Sequence, residues 1–181
     1  MRVIAGRLRS RRLVAPAGMD VRPTSDRLRE TIFNILAPRI EGARFLDLYA
    51  GTGAVAIEAL SRGAAHGTLV ESNKRSARAI RENLTVLSLE QNTEVVEDEV
   101  LHALRRMHAQ FDIVFLDPPY SLHGQYDACL KQLSTLPLLA PGSIVIAEHD
   151  KRFAPEESYG ELKRYRSLVQ GDAALSFWAA E

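Results

Sequence analysis

The stretch Phe111 to Leu116 constrains the fold of this 181-residue chain more than any other. Four consecutive apolar residues, Ile113 to Leu116, predict a strand covered on both faces, as found in parallel sheets flanked by helices. The run stops at Asp117-Pro118-Pro119-Tyr120. Each proline fixes its own φ, lacks an N–H and biases its predecessor away from helix, so Asp117 is delivered at the strand's carboxyl end on a stiff, extended turn. A carboxylate, a backbone carbonyl and an aromatic ring on one rigid loop suit a flat group bearing an NH₂: the acceptors take the amino hydrogens and the ring stacks on the face. Nucleobases are such groups. Taken alone, an acid and prolines at a strand end are also ordinary turn formers, so the upstream sequence must decide.

Upstream, Ala43 to Leu60 runs strand, tight glycine turn, helix, with Asp47, Tyr49, Ala50, Gly51 and Gly53 around the turn. Gly51 and Gly53 let the backbone approach a ligand closely, and the helix presents its first amides there. A second strand, Gly67 to Val70, ends at Glu71, twenty residues after Gly51. An acid at that place grips ribose hydroxyls in nucleoside-binding α/β sheets. A helix over 74–89 and a third strand, Glu94 to Asp98, follow, placing Asp98 on the same sheet edge. A helix over 99–109 precedes the Asp117 strand. A helix over about 124–135, a turn-rich linker over 136–142 and a fifth strand, Ser143 to Ala147 closed by Glu148, come after it. Residues 161–169 and 174–180 read as two final antiparallel strands joined at Gly171-Asp172. The alternation predicts a doubly wound α/β domain with a mostly parallel seven-stranded sheet and helices on both faces, its ligands beyond the strand carboxyl ends.

The first thirty residues are different. They carry eight arginines against Asp20, Asp26 and Glu30, although the whole chain has a formal net charge of zero. Residues 2–5 and 11–15 flank Gly6 to Ser10 and predict a small β-hairpin bearing Arg2, Arg7, Arg9, Arg11 and Arg12. Guanidinium groups fit phosphate oxygens in two-pronged fashion, so this unit, with Arg22, is expected to hold a nucleic-acid backbone. An amphipathic helix follows, with apolar positions 28, 32, 35 and 36, Thr24 or Ser25 as its cap and Pro38 beyond its end. Its polar start, Arg22 to Asp26, could place amides and hydroxyls against a ligand.

Composition excludes other classes. With 46% hydrophobic and 25% charged residues the chain is of soluble globular type, and no apolar run approaches the roughly 20 residues of a bilayer span. No signal-peptide pattern is present, and the single Cys129 reads as a small core residue, so a cytoplasmic protein is expected. His66, His102, His108, His123 and His149 lack ligand spacing, so no metal is expected.

These motifs together resemble the class I S-adenosylmethionine-dependent methyltransferases with a Rossmann-like fold. Within them the chain is similar to the bacterial 16S ribosomal RNA guanine-N2 methyltransferase family. The resemblance rests on Arg22 to Glu30, Asp47 to Gly53, Val70-Glu71, Asp117 to Tyr120, and the ending Gly171-Asp172 with Leu175 and Phe177. It spans nearly the whole chain, with Gln170 and Ala173 departing from the common tyrosine and threonine. The resemblance implies a basic extension over 1–22 and a methyltransferase domain over 23–181. It implies S-adenosylmethionine bound by Thr24, Asp47, Tyr49, Ala50, Gly51, Gly53, Glu71, Asp98 and Asp117, with Asp98 facing the adenine amino group. Asp117, the Pro118 carbonyl and Tyr120 would receive the guanine amino group. The expected partner is 16S ribosomal RNA in a partly assembled small subunit, acted on by a monomer. A DNA amino methyltransferase shares the glycine and Asp-Pro-Pro-Tyr motifs but would be expected to carry a larger target-recognition insertion. A noncatalytic RNA-binding module would not need an intact Asp117 to Tyr120.

Overall fold

A computed structural model describes residues 1–15 and 24–180, which leaves Arg22 and the start of the Arg22 to Asp26 segment outside the described residues. Helix α1 (Asp26–Leu36) is capped by Ser25, whose hydroxyl accepts from the Leu28 amide, with Asp26 in the first turn. Strands β1 (Arg44–Leu48), β2 (His66–Val70), β3 (Thr93–Val96), β4 (Phe111–Leu116) and β5 (Leu139–Asp150) alternate with helices α2 (Ala54–Ser61), α3 (Lys74–Val86), α4 (Val100–Arg106) and α5 (His123–Thr135). β6 (Ser158–Tyr159), β7 (Leu162–Gln170) and β8 (Ala173–Ala180) complete one sheet in the order β3-β2-β1-β4-β5-β8-β7-β6.

Strands β1 to β5 are parallel, and β8 runs antiparallel between β5 and β7. The expected double burial of β4 holds: Ile113 and Phe115 join the layer of α1, α2 and α3, while Val114 and Leu116 join that of α4 and α5. The sheet has eight strands rather than seven. The additional one, β6, is a two-residue ribbon turned at Gly160 (φ +59°) and too short to show a period of two. β5 begins earlier than its apolar run because Leu139 pairs with Phe111 before an irregularity around Pro141-Gly142. β8 is a central strand, burying Leu175, Phe177 and Trp178, and Gln170 ties β7 to α1 by accepting from Thr31 Oγ1 at 2.9 Å.

The N-terminal hairpin is present but short: an antiparallel bridge joins Arg2 and Arg12, flanked by the Val3 amide on the Arg11 carbonyl (2.9 Å) and the Leu13 amide on the Met1 carbonyl (3.1 Å), and the pairing extends no further. The reason is competition for the backbone: the Ile4 and Ala5 amides donate to the Glu58 carboxylate at 2.8 and 3.0 Å, and those of Arg7 and Leu8 to the Ser61 carbonyl and hydroxyl. The arm is thereby sewn onto α2, with Val3 and Leu13 in the same core as α1 and α3. Glu58 is fully buried, and Arg62 Nε beside it at 2.8 Å balances its charge.

Candidate active site

Register brings the chemistry to one rung. Leu48 pairs with both Val70 and Leu116, and Leu116 pairs with Ala147, so the next positions in line are Glu71, Tyr49, Asp117 and Glu148. Neighbouring strands lie about 4.8 Å apart; Glu148, still within β5, follows the alternation of Ile146 toward the α1 and α2 face, while Glu71 and Asp117 stand one residue beyond the ends of β2 and β4. The rung sits where β1 separates the strands that step outward to β3 from those that step to β5, the reversal at which open α/β sheets bind ligands. The Asp117 amide donates to the Leu48 carbonyl at 3.4 Å, joining the double-proline loop to the strand that ends in the glycine turn.

Tyr49, Gly51 and Gly53 all have positive φ (+65°, +57° and +76°). A Cβ at residue 53 would stand 3.0 Å from the Leu69 side chain and 3.4 Å from Ile80, so that position needs glycine for space as well as for conformation. Glu71 shapes the hollow by accepting from the amides of Gly51 (2.8 Å) and Asn73 (2.7 Å). Burial raises its carboxyl above the usual range, with those amides acting the other way. Ala50 is buried with its amide on the Val70 carbonyl. The Tyr49 hydroxyl is committed to α5, 3.0 Å from Gln125 and 3.2 Å from Cys129 Sγ, so this residue lends the turn its backbone while its ring faces away. Burial pushes the Cys129 thiol up to about 11, which suits a core residue and not a nucleophile.

Asp47 is 1% exposed and accepts the Ala56 amide at 3.1 Å, bracing α2 from beneath the glycine turn. Burial, against that amide and with help from the Glu71 charge, raises its carboxyl from 3.8 to about 7. A carboxyl raised on folding stabilises the fold relative to an ionised reference below its unfolded value and loses that contribution as pH rises through the folded one. Replacing Asp47 by Asn is therefore expected to stabilise the protein relative to wild type progressively from pH 4 to 8, by at most about 4 kcal/mol. Urea unfolding of both proteins across that range checks it; a constant difference would contradict the buried titration.

Two acids, Asp98 and Glu99, follow β3. Asp98 Oδ2 lies 2.7 Å from His102 Nδ1 and 3.8 Å from Arg106, and Asp98 lines a groove of about 450 Å³ beneath α4 with Thr68 and Glu94. The His102 hydrogen bond holds its carboxyl below the usual range. The neighbouring Glu99 is the acid whose charge acts on Glu71 and Tyr49. It stands at the N-cap of α4 without capping it.

At the double-proline loop the buried Pro118 carbonyl accepts from Tyr126 Oη at 3.2 Å, leaving one lone pair for an incoming donor. The same hydroxyl lies 3.1 Å from the Glu148 carbonyl. Burial, then the nearby charges of Asp117, Tyr120 and Glu148, raise the Tyr126 hydroxyl and keep it a donor. The buried Glu148 carboxylate accepts from Tyr120 Oη at 3.2 Å and Thr24 Oγ1 at 2.9 Å. Thr24 thus meets the rung beside the double-proline loop rather than at the glycine turn. Glu148 has no motif of its own; its only signal is its place at the end of the fifth strand. His123 stacks on Phe153 at 4.6 Å, and His149 bonds Ser176, so both are packing residues. Arg2, Arg7, Arg9, Arg11 and Arg12 are all exposed on the docked arm.

A family model described as conserved hypothetical protein 95 matches residues 1–179. Ribosomal RNA small subunit methyltransferase D of Escherichia coli (strain K12) is 34% identical over 181 residues, covering 100% of this chain and 90% of that one. Its namesake from Haemophilus influenzae is 36% identical over 154 residues, covering 83% and 79%. The solved structure of the Escherichia coli protein yhhF, described as a methyltransferase, superposes with a TM-score of 0.87 at 34% identity, covering 100% of this chain and 98% of that one. The sheet, its order and its antiparallel β8 are those of a Rossmann-like methyltransferase fold. The chain therefore belongs to the conserved hypothetical protein 95 family, that of the bacterial small-subunit ribosomal RNA methyltransferase D proteins.

Proposed function

We propose that this protein transfers a methyl group from S-adenosylmethionine to the exocyclic N2 of a guanine in 16S ribosomal RNA. The observation that carries the reading is the bond between Asp117 and the Leu48 carbonyl, which sets the amino-receiving loop beside the glycine-lined hollow at the sheet reversal. The residues fit the donor: Gly51 and Gly53 permit close backbone approach, and Glu71 and Glu99 supply carboxylates suited to ribose hydroxyls and an adenine amino group. When bound, S-adenosylmethionine supplies an electrophilic methyl on a sulfonium centre.

The chain's own residues do the rest. The lone pair of an aromatic amine is spread into its ring; Asp117 and the Pro118 carbonyl take its two hydrogens, so the nitrogen pyramidalises and aims its lone pair across the rung. Tyr120, tethered through its hydroxyl to Glu148, offers its face to the base. As the N–C bond forms, the methyl's bond to sulfur would break with its electron pair staying on sulfur; one N–H proton then becomes acidic, and Asp117 is the acceptor beside it. Alignment of this kind is worth roughly 7 to 11 kcal/mol. The base must leave its stack to enter, which is easiest in a loop of structured RNA, as in a partly assembled subunit.

The test incubates the protein and radiolabelled donor with unmodified 16S RNA, partly assembled small subunits and DNA, then maps the label. Label on a guanine N2 is the expected result; label confined to DNA, or none despite bound donor, would refute the reading. The exposed arm arginines are expected to hold RNA phosphates. Neutralising Arg7, Arg9, Arg11 and Arg12 together should weaken RNA binding and lower the slope of log K against log salt by about three. An unchanged slope in filter-binding titrations would remove the arm from the RNA contact.

A further inference from the structure

We propose that the cavity between the docked arm and the start of α1 holds a phosphate and its ribose from the RNA strand beside the target guanine, with Arg9 and Arg27 on the phosphate and Glu30 on the 2′-hydroxyl. This deepens the RNA methyl-transfer reading above and rests on it. The cavity measures about 510 Å³, the size class of small-molecule sites, which accommodates a sugar with its phosphate. Arg2 and Arg9 line it from the arm, and Asp26, Arg27 and Glu30 line it from the first turns of α1. Arg27 and Glu30, three residues apart, share one exposed face of that helix.

Arg29 fixes the two walls relative to each other. Its buried guanidinium donates through Nη2 to the Arg2 carbonyl at 2.9 Å and to Asp26 Oδ1 at 2.7 Å, so one side chain ties arm to helix. Its Nε and Nη1 meet no hydrogen-bond partner among the described residues, and the charge behind the wall is only partly compensated. Counting Arg29, four guanidinium groups stand against two carboxylates, and Asp26 is already held by Arg29 and lies 3.8 Å from Arg2 Nε. That balance favours an anion, and guanidinium groups suit phosphate oxygens. Glu30, an acceptor among the cations, suits a hydroxyl donor, which RNA carries on every ribose and DNA does not. The cavity also lies on the path to the rung. Thr24, two residues before Asp26, bonds the Glu148 carboxylate, so a strand whose guanine enters beside Asp117 passes the cavity with a neighbouring nucleotide.

The test uses small-subunit RNA joined from synthetic segments. Single phosphates flanking the mapped guanine are intact or replaced by uncharged methylphosphonate, and single flanking riboses carry a 2′-hydroxyl or are 2′-deoxy. Arg27→Gln, at an exposed helix position, is expected to raise the Kd for intact RNA about tenfold with kcat unchanged, and to lower the slope of log K against log salt by about one. At one flanking phosphate, methylphosphonate should weaken wild-type binding by a similar factor and leave Arg27→Gln unaffected. One 2′-deoxy substitution should likewise weaken wild type and not Glu30→Gln. Arg105→Gln, which removes an exposed arginine from the opposite helical layer, measures the effect of lost charge alone. If Arg27→Gln behaves as Arg105→Gln, or if methylphosphonate at every flanking position costs both proteins alike, the cavity holds no RNA phosphate, while N2 methylation stands. Equal losses on 2′-deoxy RNA in wild type and Glu30→Gln overturn the ribose contact. Absence of label on a guanine N2 with wild-type protein overturns the methyl-transfer reading instead.

Discussion

Replacing Asp117 by alanine is expected to abolish most methyl transfer, by roughly 10²- to 10⁴-fold in kcat, while S-adenosylmethionine binding persists. The separation follows from position. Asp117 stands just past the end of β4, across the rung from the Glu71 and Gly51 contact that shapes the hollow, and the hydrogen bond from its amide to the Leu48 carbonyl is a backbone interaction that alanine retains. The substitution removes the carboxylate from the reacting amine, while the two prolines and the Tyr126 bond still hold the loop. Single-turnover kinetics with labelled donor, alongside calorimetry, measure both parts. Undiminished turnover would take Asp117 out of the mechanism, and lost donor affinity would place it in the donor site.

Gly6→Ala is expected to have the largest effect on architecture. Residue 6 has φ +79°, and a Cβ there would lie 1.9 Å from the Ser61 carbonyl oxygen and 2.4 Å from its carbon, both backbone atoms of α2. Neither can withdraw without distorting the helix, so the arm must lift. Lifting it breaks the bonds to Glu58 and Ser61, leaves the buried Glu58 with Arg62 alone, and exposes Val3 and Leu13. Burial of two such side chains contributes about 1.5–3 kcal/mol each, so a loss of several kcal/mol is expected. Heat denaturation should show a large fall in Tm, and limited proteolysis should cut first within residues 1–15. Weaker RNA binding with donor affinity preserved completes the expected pattern. A variant of wild-type stability would mean that the arm is not anchored through this turn.

The α/β fold could be read largely from local pattern. The continuous apolar run of β4, the glycine turn after β1 and the acid after β2 each report burial or backbone conformation at their own position, and the structure puts them at one sheet edge. The arm was less legible. Its alternation and central glycine suit a hairpin, but the amides of Ile4, Ala5, Arg7 and Leu8 bond to α2, more than fifty residues along the chain. Among the described residues, no helix is long and apolar enough to cross a membrane.

Sequence by itself determined the order of strands and helices, the strand ends that carry acids, and the stiff loop at Asp117 to Tyr120, because periodicity, glycine and proline act within a few bonds of where they stand. Only the tertiary structure decided which side chains share a space. It paired Asp98 with His102, sent Thr24 to Glu148, and gave Glu148 its place beside Asp117. Those outcomes depend on strand register and on which face each residue meets, and a shift of one position reverses them without changing the composition.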